Sequence, residues 1–116
     1  MKNLFIISLL LLTGCSVMTT EQSAMWQATN NFTYKGELPG KDEWITYDSI
    51  NEPFTGDCED YALTLQKQIG GDVWYVVLPG KRAHAVLAKN GIAYDFRFKR
   101  SIKVESYPGR FSHIMN

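Results

Sequence analysis

Two consecutive glycines, Gly70-Gly71, separate stretches of different texture, and this boundary constrains the fold more than any other feature of the chain. On its N-terminal side Tyr61, Leu65 and Ile69 recur every four residues, with Ala62 on the adjoining edge, which is the period of an amphipathic helix. Thr55-Gly56-Asp57 offers an N-terminal cap, and Cys58-Glu59-Asp60 sets acids in the first turn, where the helix dipole favours them. The glycines end the helix. Beyond them the residues turn β-rich: 73–78 (VWYVVL), 83–88 (AHAVLA) and 92–98 (IAYDFRF) each read as a strand. Asn90-Gly91, between the last two, is the signature of a two-residue hairpin. A fourth short strand is expected in 102–104 or near 111–114. A helix followed by antiparallel strands makes an α+β fold, with the helix packed on one face of a small sheet.

With 116 residues, the chain has room for one ordinary domain. Its 12 basic and 12 acidic side chains cancel, which excludes the strongly basic footprint of a dedicated nucleic-acid binder. Residues 1–14 (MKNLFIISLLLLTG) join a positive n-region at Lys2 to an apolar run too short to span a bilayer, the build of a signal peptide. The run ends in Leu12-Thr13-Gly14-Cys15, which resembles the lipobox of bacterial lipoproteins. That resemblance implies a lipidated Cys15 as the mature N-terminus, held at a membrane by its acyl chains. Ser16 in the next position, where Asp is absent, resembles the sorting pattern for an outer membrane, with the protein facing the periplasm. Cys58 is then the only free thiol of an exported chain, in a compartment where cysteines normally pair.

Residues 15–40 read as a tether and N-terminal segment, with a tether to about residue 22, a short helix or turn around 24–29, and an exposed loop closed by Pro39-Gly40. The functional domain is expected over 41–116, as a monomer. Charge is segregated: residues 15–72 carry three basic and ten acidic side chains, and residues 73–116 carry eight basic and two acidic ones. Either the two halves attract across the fold, or Lys99-Arg100 with Lys81-Arg82 form a basic rim toward an anionic substrate or membrane.

Three residues arrive in an order that suggests catalysis. Cys58 stands at the helix start, His84 begins one strand, and Asp95 lies in the next. If Asn90-Gly91 closes a two-residue loop, Lys89 faces Ile92, and Asp95 becomes a diagonal neighbour of His84 on one sheet face. Unpaired N–H groups and the positive dipole end of a helix lower a thiol pKa, and a histidine partner lowers it further. A carboxylate on the other ring nitrogen would fix the tautomer. The Cys58 N–H could donate to an oxyanion. Trp44 either packs in the core or adds an indole N–H to that hole.

The string Gly56-Asp57-Cys58-Glu59-Asp60-Tyr61-Ala62, then His84-Ala85-Val86-Leu87 and Tyr94-Asp95, resembles the bacterial transglutaminase-like cysteine proteinases. The likeness covers residues 41–98, and Trp44 in its acidic surroundings fits the same pattern. It implies a papain-like core, with Cys58 as nucleophile, His84 as general base and acid, and Asp95 as orienting residue. It implies a protein or peptide substrate in the cell envelope, cut by hydrolysis. It also implies calcium, with Asp57, Glu59 and Asp60 matching the acids that flank the nucleophile in members that process surface adhesins. A cation there would offset the like charges that raise a thiol pKa. Two other readings stay open: a peptidoglycan endopeptidase of NlpC/P60 type, and a non-catalytic surface lipoprotein that keeps the fold.

Overall fold

The structure is a computed structural model, which describes residues 18–36 and 43–116. The lipobox and Cys15 lie outside the described residues. The chain runs through helix α1 (Thr20–Asn31), strand β1 (Phe32–Tyr34), β2 (Phe54–Gly56), helix α2 (Cys58–Ile69), β3 (Asp72–Leu78), β4 (Arg82–Lys89), β5 (Ile92–Tyr94), β6 (Ile102–Lys103), a 3-10 turn (Val104–Ser106) and β7 (Arg110–Ile114). It is an α+β fold, with a five-stranded antiparallel sheet in the order β6-β5-β4-β3-β7.

Helix α2 forms where its periodicity places it. Its apolar face, Tyr61, Ala62 and Leu65, is buried against Val73, Ala85, Leu87 and Tyr94 of the sheet. The Asn90-Gly91 loop has positive φ at both residues, as a type I′ hairpin requires, and Lys89 faces Ile92 in the expected register. A second apolar cluster (Val76, Leu78, Val86, Ala93 and Tyr107) covers the face of the sheet away from α2.

Four expectations are corrected. Helix α1 begins at Thr20, inside the expected tether, because Thr19 and Gln22 form a capping box that closes its N-terminus. Its Met25 and Ala28 are buried in the α2 core, so the segment before residue 41 is part of the domain. The third strand stops at Tyr94. There the Asp95 carboxylate accepts from Arg97 N (3.2 Å) and the Asp95 carbonyl from Phe98 N (3.0 Å), which folds residues 95–98 into a turn. Both candidate last strands form. β7 crosses to the far edge and pairs with β3, so the strands do not follow a simple meander. A parallel pair, β1 with β2, was not foreseen, and it sets Tyr34 opposite Gly56. Among the described residues no helix is long and apolar enough to cross a membrane.

Candidate active site

The start of α2 is built by three residues of the Gly-Asp-Cys-Glu-Asp string. Asp57 is the cap: its Oδ1 accepts from Asp60 N (3.3 Å), while Asp60 Oδ2 accepts from Asp57 N (3.1 Å). The other oxygen of Asp60 accepts from Ile45 N at 2.6 Å, which fastens the segment carrying Trp44 to the helix start. Position 56 must be glycine, because a Cβ there would stand 2.4 Å from Asp60 Oδ2 and 2.6 Å from Asp60 Cβ. Burial raises the Asp60 acid and the Asp57 charge adds to the rise, opposed by the Ile45 and Asp57 N–H donors. Asp57 is also raised, by burial and then by the neighbouring Glu59.

This packing decides the fit of calcium. Both Asp60 oxygens face backbone N–H groups, leaving Asp57 and Glu59 beside the thiol. Among the described residues no group of three or more His, Cys, Asp or Glu side chains could hold a metal ion. Asp60 is thus engaged by the backbone, and of the three acids expected to hold calcium Asp57 and Glu59 are the ones left to turn toward a cation.

Cys58 is the first residue of α2 and half-buried. Its Sγ–H donates to Glu59 Oε2 at 3.2 Å. Burial pushes the thiol up to about 12; the Ala85 N–H facing the sulfur draws it down, and the charges of Glu59 and Asp57 push it up again. The expected lowering by the helix start is thus reversed. A half-buried sulfur next to two carboxylates loses more solvation than the helix end returns. At rest the Cys58 side chain is therefore a neutral thiol.

On β4, His84 immediately precedes Ala85, whose N–H faces the sulfur. His84 is 8% exposed and Asp95 2%. His84 Nε2 lies 2.9 Å from Asp95 Oδ1. An ionised carboxylate only accepts, so Nε2 carries the proton and Nδ1 is the basic nitrogen. Alternation along β4 groups His84 with Val76, its partner on β3, on the face away from α2. Its ring lies 5.8 Å from Phe96, which in turn lies 5.9 Å from Tyr61 in the first turns of α2. The thiol is engaged by Glu59 and the imidazole by Asp95, with no hydrogen bond between the two side chains among the described residues.

Asp95 is held by two residues that sequence reasoning missed. Tyr107 OH donates to Oδ2 at 2.6 Å, Arg97 Nε donates to the same oxygen at 2.9 Å, and Arg97 Nη2 donates to Tyr107 OH at 3.0 Å. Burial opposes ionisation, but His84, Tyr107 and the Arg97 N–H outweigh it and hold the carboxyl below its usual range. Arg97 supplies the countercharge in a site that would otherwise bury a lone anion. The Asx turn brings Arg97 back onto Asp95, a signal present in the sequence. Tyr107 arrives from beyond β6, which no local pattern announces.

No protein-family model matches the chain, and no curated protein matches it either. The functional reading therefore rests on the site. Trp44 does not pack in the core: it is 46% exposed and has no hydrogen bond among the described residues. The Ile45 amide beside it is taken by Asp60, whereas Cys58 N–H, in the open first turn of α2, has no protein acceptor among the described residues.

Proposed function

We propose that this chain is a lipid-anchored cysteine peptidase or amidase of the bacterial cell envelope, in which Cys58, His84 and Asp95 act together. The observation that carries the reading is the buried His84–Asp95 pair, ending one residue from the Ala85 N–H that faces Cys58 Sγ. A buried histidine held by a carboxylate is a mark of functional sites, and in this tautomer its Nδ1 is left for a second partner.

The chemistry follows from the thiol being protonated at rest. A substrate carbonyl entering above the start of α2 displaces Sγ–H from Glu59. The proton passes to His84 Nδ1 as the Sγ–C bond forms, and Asp95 stabilises the imidazolium that results. The carbonyl oxygen, now an anion, takes the Cys58 N–H. His84 returns the proton to the leaving amine as the C–N bond breaks, and water then releases the acyl group by the reverse route. The resemblance of Gly56 to Ala62, and of His84 to Leu87, to transglutaminase-like proteinases supports the same roles. The lipobox residues support anchorage at Cys15, at an outer membrane facing the periplasm.

Incubating the protein with a panel of envelope proteins and, separately, muropeptides tests this reading. Cleavage of a protein chain, lost in Cys58→Ser and in His84→Ala, is expected. Cleavage of muropeptides alone would favour the NlpC/P60-type reading, and no turnover of either would favour a binding protein that keeps the fold.

A further inference from the structure

Several exposed apolar side chains do not scatter over the surface but stand around the start of α2. Tyr34 is 57% exposed, Trp44 46% and Ile45 44%. Tyr34 is carried there by the β1–β2 pairing: it lies opposite Gly56, two residues before Cys58, and Lys35 N donates to Gly56 O at 2.7 Å. Its ring stacks on Phe96 at 5.5 Å, with the planes 10° apart. Phe96 in turn touches the His84 ring. A continuous aromatic platform thus runs from solvent at Tyr34 to the imidazole. Phe32, on the same face of β1, is used by the core, 5.2 Å from Phe54 and 5.1 Å from Tyr61. Tyr34 repeats the pattern two residues later with one ring face left to water.

An exposed stacked ring beside a reacting group has no folding reason to remain uncovered, and such patches mark binding surfaces. We propose that Tyr34 and Phe96 form the specificity subsite of this enzyme, taking an aromatic side chain of the substrate peptide next to the attacked carbonyl. The inference rests on the Cys58 hydrolase reading and names its substrate class. Aromatic rings stack or meet edge to face at such spacings, so a phenyl or phenol group gains on this platform what a small residue does not. Asp57 and Glu59, on the other flank of Cys58, repel acidic residues, so the segment recognised is aromatic and neutral or basic. Ile45, fastened to Asp60, borders the same entrance from the opposite chain segment.

Peptidyl chloromethyl ketones test it on the full-length protein. Cys58 Sγ displaces chloride from the reagent, forming an Sγ–C bond while the thiol proton goes to His84. N-acetyl-Gly-Phe and N-acetyl-Phe-Gly chloromethyl ketones are compared with the Gly-Gly reagent, and iodoacetamide reports the bare thiol. At least one phenylalanyl reagent should react about tenfold faster than Gly-Gly, a ratio that partial burial of one ring supplies. The ratio should fall to near one in Tyr34→Ser, persist in Tyr34→Phe, and be unaltered in Trp26→Phe, a distant exposed aromatic. Iodoacetamide labelling of Cys58 with equal rates for all three ketones would overturn the subsite and leave the hydrolase reading standing. Failure of every reagent to label Cys58 would overturn both.

Discussion

Replacing Tyr107 by Phe removes one oxygen and leaves the ring in its contacts with Phe98 (6.2 Å) and Phe111 (5.3 Å). Two bonds are lost: the 3.0 Å bond the hydroxyl accepts from Arg97 Nη2, whose solvent-facing guanidinium can turn to water, and the larger one, a 2.6 Å donation to an ionised, buried carboxylate, the short charge-assisted kind. Such bonds contribute about 1.5–3 kcal/mol. Asp95 keeps three donors, from His84, Arg97 N and Arg97 Nε, so the loss belongs at the lower end, about 1.5–2 kcal/mol, or roughly 6–16 °C in Tm for a domain of this size. The pH dependence separates this bond from packing. Because the folded carboxyl of Asp95 is held below its unfolded value, its contribution is fully present above the unfolded pKa and is lost as pH falls through the folded one. Tyr107→Phe relaxes the lowering, so the acid-side loss of stability is smaller than in the parent and is complete at a higher pH. The difference between the two proteins should be largest near neutrality and shrink in acid. Urea unfolding between pH 2.5 and 7.5 measures it. A stability difference that stays constant through the acid range would refute the reasoning, because the effect would then come from the ring and not from the ionised pair.

Gly56→Ala should destabilise strongly, since its Cβ would meet Asp60 at both Oδ2 and Cβ, and thermal unfolding should show a loss larger than at Gly80, where a Cβ meets nothing. Glu59→Gln removes the negative charge that favours the thiol form while keeping an amide oxygen that can accept from it, so Cys58 alkylation at pH 7.5 should speed up several-fold; an unchanged rate would show that the Glu59 charge does not set the thiol. Cys15→Ser should release the protein from sedimented membranes or leave an uncleaved precursor, and unchanged fractionation would remove the anchor.

What the sequence made legible was local or adjacent. The period of Tyr61, Leu65 and Ile69 between Asp57 and Gly70 marks α2 because cap, face and stop all agree. Asn90-Gly91 sets the β4–β5 register, which carries His84 to Asp95 even though β5 stops at Tyr94, one residue before it. The N-terminal helix was underread because only Met25 and Ala28 are buried on it, too few to give a clear period, although Thr19 and Gln22 spell its capping box. The β1–β2 pair joins residues twenty-two positions apart in sequence, as in Phe32 with Phe54, and Tyr107 reaches Asp95 from beyond β6, so neither leaves a local trace. The Asp57, Glu59 and Asp60 acids show a different limit. Their spacing looks the same whether a carboxylate faces a cation or a backbone N–H, and only the fold shows that Asp60 caps a helix and pins Ile45.

The central claim is that a protonated Cys58 depends on His84 for its reactivity. The rate of Cys58 alkylation by iodoacetamide at pH 7.5, followed by mass spectrometry in the parent and in His84→Ala, tests it most directly. The account predicts a rate at least about tenfold lower without the imidazole, since its removal leaves the thiol no nearby base. Equal rates in two folded proteins would contradict it, and the buried His84–Asp95 pair would then be a structural feature of the sheet.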